Sequence, residues 1–157
     1  MSATDQQVRL TALDPTRSFC VTAPAGSGKT ELLTQRILAL LPTVERPEQV
    51  LAMTFTRKAA AEMRERLLIK LEEARCGVEV TAGHEQQTRN LALAVLAHAD
   101  EQQWSLDPEE FNIRTIDSLC ADLTRQMPIL SGLGGAIEIT EQDQPLFEQA
   151  VVELFAT

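Results

Sequence analysis

Apolar residues recur every three or four positions along several stretches of the chain, which is the spacing of an amphipathic helix. The pattern predicts helices over residues 5–13, 31–41, 57–74, 84–101 and 117–126. A last helix is predicted from Thr140 onward, because Thr140 and Asp143 have the spacing of a capping box. Pro15 and Pro42 each follow a predicted helix, since proline and the residue before it disfavour helical backbone.

Shorter apolar runs lie between these helices and predict strands over residues 18–22, 49–55, 111–115 and 136–139. The run at 49–55 is almost wholly apolar, as expected for a parallel strand buried on both faces. The strand at 18–22 is also expected to be buried. With the helix between them, these two strands form a predicted βαβ unit with a right-handed crossover. The alternation of strands and helices predicts an α/β domain with a parallel sheet.

Composition narrows the classes of function. The chain has 157 residues, of which 44% are hydrophobic, so it is the size of one domain with a real core. A net charge of −9 excludes a general attraction for nucleic acid, so any such contact must be a local patch. The three cysteines lie far apart, as expected for reduced thiols. No signal sequence or membrane-length apolar run is found, and we expect a cytoplasmic protein without a membrane partner.

One stretch between the first predicted strand and the next helix has the pattern of a phosphate-binding loop. It consists of Ala23, Pro24, Ala25, Gly26, Ser27, Gly28, Lys29 and Thr30, with alanine in the first glycine position. Glycines let backbone N–H groups converge on an anion, and the following helix directs its positive end at that anion. Lys29 is expected to reach the β- and γ-phosphates of a nucleoside triphosphate, and the Thr30 hydroxyl to bind Mg²⁺. The alternative interpretation is an ordinary glycine-serine turn.

Two later segments follow this loop in a characteristic order. Residues 52–66 read AMTFTRKAAAEMRER and residues 115–120 read TIDSLC. Together with the loop, they resemble the signatures of UvrD/Rep-type superfamily 1 DNA helicases. The residues of the loop and of the later segment resemble the RecB/AddA-like branch of that family most. The resemblance covers about residues 5–143.

The resemblance implies a three-layer P-loop NTPase fold of the RecA-like type with a parallel sheet, incomplete as given. Residues 1–139 would form the N-terminal part of the first RecA-like domain, with a helical insertion at 75–110, and residues 140–157 would begin a following helical region. It further implies an ATP- and Mg²⁺-dependent helicase or translocase on single-stranded DNA, moving 3′ to 5′, in repair or recombination. The acidic motif that activates water and the second RecA-like domain are expected to be missing. We therefore expect this chain alone to bind ATP weakly at most and to hydrolyse none.

The resemblance also implies roles for individual residues. Gln7, or else Gln6, would read the edge of adenine; the alternative for either residue is a solvated helix position. The ring of Phe55 would stack on a DNA base. Contacts to DNA phosphates would come from Thr56, Arg57, Lys58, Thr115 and Ser118.

Without the resemblance, the same residues have plainer interpretations. Phe55 would belong to the core, Thr56 would cap a helix, and Arg57 and Lys58 would form a solvated face. Asp117 stands where the family commonly has histidine, and a carboxylate beside DNA is repulsive. We therefore expect Asp117 to cap a helix or to pair with Arg114.

Three alternatives to a simple helicase stay open from the sequence. The chain could belong to a helicase–nuclease complex, or to a P-loop phosphotransferase that is not a helicase. The third alternative is a non-enzymatic role, in which the chain only binds a partner protein or associates with itself.

Overall fold

Helices dominate the fold. The computed structural model describes residues 3–80, 83–127 and 144–155. The α-helices are α1 (Ala3–Thr11), α2 (Lys29–Leu40), α3 (Arg57–Arg75), α4 (Gly83–Gln102), α5 (Ile116–Gln126) and α6 (Gln144–Phe155). Two strands, β1 (Ala52–Thr54) and β2 (Ile113–Thr115), form a parallel sheet, and short 3₁₀ turns lie at Leu41–Thr43, Pro47–Gln49 and Pro108–Glu110. None of the helices within these ranges is long and apolar enough to cross a membrane.

The chain divides into two compact units, Met1–Ser118 and Leu119–Thr157. The core of the first unit lies where α2, α3 and α4 meet the sheet. Its buried apolar side chains include Leu38, Leu41, Leu67, Val95 and Ile113. Within this unit, α3 packs most extensively against α4, and α4 also contacts α2. The helix α4 is therefore part of the main core.

Two aromatic side chains fasten the end of α4 to the segment before β1. The His98 Nε2 atom lies 2.8 Å from the Val44 carbonyl oxygen, and the indole N–H of Trp104 donates to the Glu45 carbonyl at 2.9 Å. The His98 and Trp104 rings meet edge to face, with centroids 5.1 Å apart. These contacts anchor α4 at its carboxyl end.

The helices α3 and α4 match their predicted ranges closely. The helix α3 begins directly after Thr56, whose hydroxyl accepts a hydrogen bond from the Ala59 N–H at 3.1 Å, so Thr56 is confirmed as the cap. The ends of α3 and α4 lie within one residue of the predicted 57–74 and 84–101. The predicted strand at 136–139 and the capping box at Thr140 and Asp143 lie outside the described residues.

The strand predicted over residues 49–55 is shorter and more exposed than expected. Its first part forms the 3₁₀ turn Pro47–Gln49, and the ladder is limited to three pairs, from Ala52 opposite Ile113 to Thr54 opposite Thr115. Met53 is 53% exposed. The prediction that both faces of this strand are buried is therefore wrong, because within the described residues helices cover only one face of the sheet.

The strand predicted over residues 18–22 is also not formed. This segment lacks regular secondary structure, and apart from the half-buried Phe19 its residues are exposed. A strand needs a hydrogen-bonded neighbour, and in the described part of the chain β1 pairs with β2. The parallel crossover therefore runs from β1 through α3 and α4 to β2, and not from residues 18–22 to 49–55.

Side chains rather than a ladder hold the segment before the phosphate loop. The Arg36 guanidinium, on α2, donates to the carbonyls of Ala12 at 3.1 Å and Arg17 at 2.8 Å, and also to that of Asp14. The guanidinium carbons of Arg17 and Arg36 each lie 5.4 Å from the centroid of the Phe19 ring. A small buried cluster of Ala12, Leu13 and Leu32 joins the end of α1 to α2. These contacts place α1 beside the start of α2.

Candidate functional site

The phosphate loop has the backbone that its glycines were expected to supply. Gly26 and Gly28 have φ angles of +74° and +79°, a left-handed conformation that side-chain-bearing residues rarely adopt. Gly28 immediately precedes Lys29, the first residue of α2, so the helix begins where the loop ends. The unbonded N–H groups of the first helical turn therefore lie at the end of the loop.

The polar side chains of the loop suit an anion. The Lys29 ammonium group donates to the carbonyls of Ala23 at 2.7 Å and Pro24 at 2.5 Å, and the side chain is exposed. The Ser27 hydroxyl is buried and has no hydrogen-bond partner within the described part of the chain. A buried hydroxyl beside a lysine and a helix N-terminus is a donor that a phosphate oxygen would satisfy. Thr30 follows in the first helical turn and is exposed.

A cavity of about 380 Å³ opens beside the loop. Its apolar wall comes from Val8, Ala12, Phe19, Val21 and Leu32, and its cationic groups are Arg9 and Lys29. An apolar wall with a few convergent polar groups is the usual composition of a small-molecule site. The residues present therefore fit a ligand that combines an apolar part with a polyanion.

The residues from α1 that line this cavity are Val8, Arg9 and Thr11. Gln7, predicted to read adenine, is exposed on α1, and its backbone carbonyl accepts a hydrogen bond from the Thr11 hydroxyl at 3.0 Å. Arg9 was missed by sequence reasoning. It donates to the Ser27 carbonyl, eighteen residues away, and no spacing pattern marks that contact.

The candidate DNA-binding residues of the two later segments converge at one edge of the sheet. Because Thr54 lies opposite Thr115 in a parallel pair, Phe55 and Ile116 both follow the carboxyl end of their strands. Phe55 is 84% exposed, so the interpretation that it belongs to the core is wrong. Arg57 is exposed at the start of α3.

Next to Arg57, the Lys58 ammonium group lies 3.9 Å from a Glu62 carboxylate oxygen, with 86% of the lysine side chain exposed. An ion pair this exposed contributes little to stability. The start of α3 therefore presents two cations beside the Phe55 ring.

Thr115 and Ser118 form the cap of α5. The Thr115 hydroxyl accepts a hydrogen bond from the Ser118 N–H at 3.2 Å, and the Ser118 hydroxyl donates to the Thr115 carbonyl at 2.8 Å. Thr115 is buried, whereas Ser118 is exposed. The cap is therefore Thr115 and not Asp117, because the threonine hydroxyl sits at the position from which it reaches the third helical N–H. Asp117 is exposed in the first turn, where a negative charge favours the helix dipole.

Comparison with known proteins matches this arrangement to one family. A model of the UvrD/REP helicase N-terminal domain matches residues 3–156. The chain belongs to the UvrD/REP helicase family. The resemblance identified from residues 23–30, 52–66 and 115–120 is therefore confirmed.

Several curated relatives are similar to this UvrD/REP-family chain. An ATP-dependent helicase/nuclease subunit from Desulfitobacterium hafniense is 34% identical over 146 residues, which is 90% of this chain and 10% of the relative. The protein of the same name from Anoxybacillus flavithermus is 34% identical over 85% of this chain and 10% of the relative. The ATP-dependent DNA helicase UvrD2 of Mycobacterium tuberculosis is 46% identical over 50% of this chain and 11% of the relative.

The chain spans about a tenth of the length of these relatives. The matches to the two helicase/nuclease proteins extend over much more of this chain than the match to UvrD2, which confirms the lean toward the RecB/AddA-like branch.

Proposed function

We propose that this chain is the first part of an ATP-dependent DNA helicase or translocase, and that it supplies one side of the ATP site. The observation that carries the proposal is the loop from Gly26 to Thr30. It combines two left-handed glycines, a buried donor hydroxyl and a lysine at the start of α2. In this proposal the parallel pair β1–β2 belongs to a three-layer RecA-like domain, and residues 1–139 form the N-terminal part of that domain.

ATP with Mg²⁺ would supply the phosphoanhydride bond whose hydrolysis releases energy. The loop from Ala23 to Thr30 would wrap the phosphates, with the Lys29 ammonium group exchanging the carbonyls of Ala23 and Pro24 for phosphate oxygens. Thr30 would hold Mg²⁺ through its hydroxyl, and Gln7 would recognise adenine from α1. The apolar wall beside the loop would cover one side of the bound nucleotide.

Single-stranded DNA would cross the edge of the sheet at which β1 and β2 end. Phe55 offers an exposed ring on which a base can stack, which contributes roughly 1–3 kcal/mol per base. Thr56, Arg57 and Lys58 would contact phosphates beside it, and Ser118 and Thr115 would border the same edge. The net charge of −9 makes these cations a local attraction against an acidic background.

A second candidate function is that of a helicase–nuclease component. It is favoured by the relatives named as helicase/nuclease subunits, which match 85% and 90% of this chain. The word subunit in those names supports a partner chain. We propose that the resulting complex acts in DNA repair or recombination in the cytoplasm. Nuclease activity in the full-length protein, copurifying with the ATPase, would distinguish this function from that of a helicase alone.

The deciding experiment measures ATPase activity of the full-length protein with and without single-stranded DNA. We expect DNA to stimulate turnover and Lys29→Ala to abolish it with or without DNA. Phe55→Ala should weaken binding of single-stranded DNA by roughly 5- to 150-fold, while the unstimulated ATPase is retained. The matched control is Phe155→Ala, because Phe155 is also 84% exposed but lies in the other unit. An ATPase activity that single-stranded DNA does not change would contradict the proposed function.

The 157-residue chain alone is expected to bind ATP weakly at most and to hydrolyse none. Turnover by this chain that is lost in Lys29→Ala would contradict that expectation.

A further inference from the structure

Resting on the proposed function, we infer that Arg9 is a second phosphate-binding cation of the ATP site. It reaches the phosphate loop from α1, outside the loop's own sequence. The loop pattern explains Lys29 and Thr30, but it says nothing about residues that reach the loop from other helices.

The guanidinium of Arg9 lies directly against the turn at Gly28. It donates a hydrogen bond to the Ser27 carbonyl. A Cβ atom at Gly28 would lie 3.4 Å from Nη1, 3.6 Å from Nη2 and 3.9 Å from Cζ of Arg9. These are ordinary van der Waals distances, so the guanidinium packs closely against the turn, and the requirement for glycine comes from the φ of +79°.

Arg9 and Lys29 line the same cavity, together with Ser27. They are tethered to different carbonyls, Lys29 to Ala23 and Pro24, and Arg9 to Ser27. The two cations thus contact the loop from separate helices, α1 and α2. The buried hydroxyl of Ser27 belongs to the loop that both of them contact. A guanidinium has five N–H donors in a planar fork, so it can hold a carbonyl and bind a phosphate oxygen at the same time.

Arg9 and Lys29 are the two cationic residues that line this cavity within the described part of the chain. A polyphosphate brings several negative charges and forms charge-assisted hydrogen bonds with both cations. The chemical class that fits Arg9 is therefore the phosphate chain of a nucleoside triphosphate.

The test measures binding of ATP and of inorganic tripolyphosphate to the full-length protein by calorimetry. Arg9→Gln is expected to weaken both ligands about tenfold or more, because a hydrogen bond to a charged group is lost. Arg9→Lys keeps the charge and should lose only about threefold. The matched control is Arg66→Gln, which removes the same charge from an exposed position on α3 and should leave binding unchanged. A thermal melt of each variant verifies that it is folded.

The outcomes separate the inference from the proposed function. If Lys29→Ala binds ATP normally, the proposed function fails. If Lys29→Ala loses binding but Arg9→Gln matches the wild type, only the role of Arg9 is overturned. If Arg9→Lys is as weak as Arg9→Gln, Arg9 acts only by bracing the Ser27 carbonyl, and the inference of a phosphate contact is overturned. If added salt weakens ATP binding less in Arg9→Gln than in Arg9→Lys, the contact between Arg9 and phosphate is supported.

Discussion

Replacing Thr88 with valine removes a hydroxyl that joins α4 to the helix after the phosphate loop. The Thr88 hydroxyl donates to a Glu31 carboxylate oxygen at 2.8 Å and accepts from the Gln35 amide nitrogen at 2.8 Å. Thr88 is only 2% exposed and Gln35 only 5%. Glu31 directly follows Thr30. The hydrogen bonds of Thr88 to Glu31 and Gln35 therefore hold the first turns of α2 against α4.

The expected cost follows from burial. Valine has nearly the shape of threonine, so little cavity is created, and the loss comes from the hydrogen bonds. Removing one partner of a buried polar group costs about 1–3 kcal/mol. For a chain of this length, each kcal/mol lowers the melting temperature by roughly 2–4 °C, so Thr88→Val should melt roughly 2–12 °C below the wild type. Urea unfolding followed by the fluorescence of Trp104, the single tryptophan, reports the same change from the end of α4.

Thr88→Ser is the matched control, because it keeps the hydroxyl and loses only a methyl group, at about 0.5–1.5 kcal/mol. The serine variant should therefore be more stable than the valine variant. If the valine variant is equally or more stable, the hydroxyl does not hold α2 against α4, and the reasoning from the two 2.8 Å contacts is refuted.

Three further changes test other parts of the fold. Leu38→Ala, at a completely buried position, should lower the free energy of unfolding by about 2–5 kcal/mol. Leu33→Ala, at a 49% exposed position on the same helix, should lower it far less, and urea unfolding measures both variants. Thr56→Ala should cost about 1 kcal/mol through loss of the cap of α3, and Thr56→Ser should restore most of it in the same assay. Hydrogen bonds from the Thr16 hydroxyl and N–H, helped by nearby arginines, hold the pKa of Asp14 below its usual 3.8. The stabilisation is therefore present above that value and is lost as the pH falls through the lowered pKa, so Asp14→Asn should melt below the wild type at neutral pH and converge with it in acid. A difference that persists in acid would contradict this origin.

Local patterns were sufficient to predict the helices. The apolar spacing of α3 and the Thr56 cap are encoded within a few residues, and the predicted bounds of that helix were accurate to one residue. The phosphate loop was found for the same reason, since its backbone depends on Gly26 and Gly28 themselves.

Features that depend on distant neighbours could not be predicted. Residues 18–22 have the composition of a strand, but a strand forms only where another segment completes its ladder. Phe55 follows an apolar run, yet its exposure depends on whether anything covers the end of β1. Arg9 lies against Gly28 because Ala12, Leu13 and Leu32 pack α1 beside α2, and no single stretch of sequence contains that relation.

The parallel pairing of β1 with β2 has a consequence for the order in which the chain gains its structure. Ala52 meets Ile113 across a loop of roughly sixty residues, and closing a flexible loop of that length costs about 3–4 kcal/mol of chain entropy. Three ladder pairs cannot offset that cost early. The adjacent helices α3 and α4 pack together through contacts much closer in sequence, and their association brings the strand ends near each other. The edge that carries Phe55 and Ser118 is therefore completed only after this helical hairpin has formed.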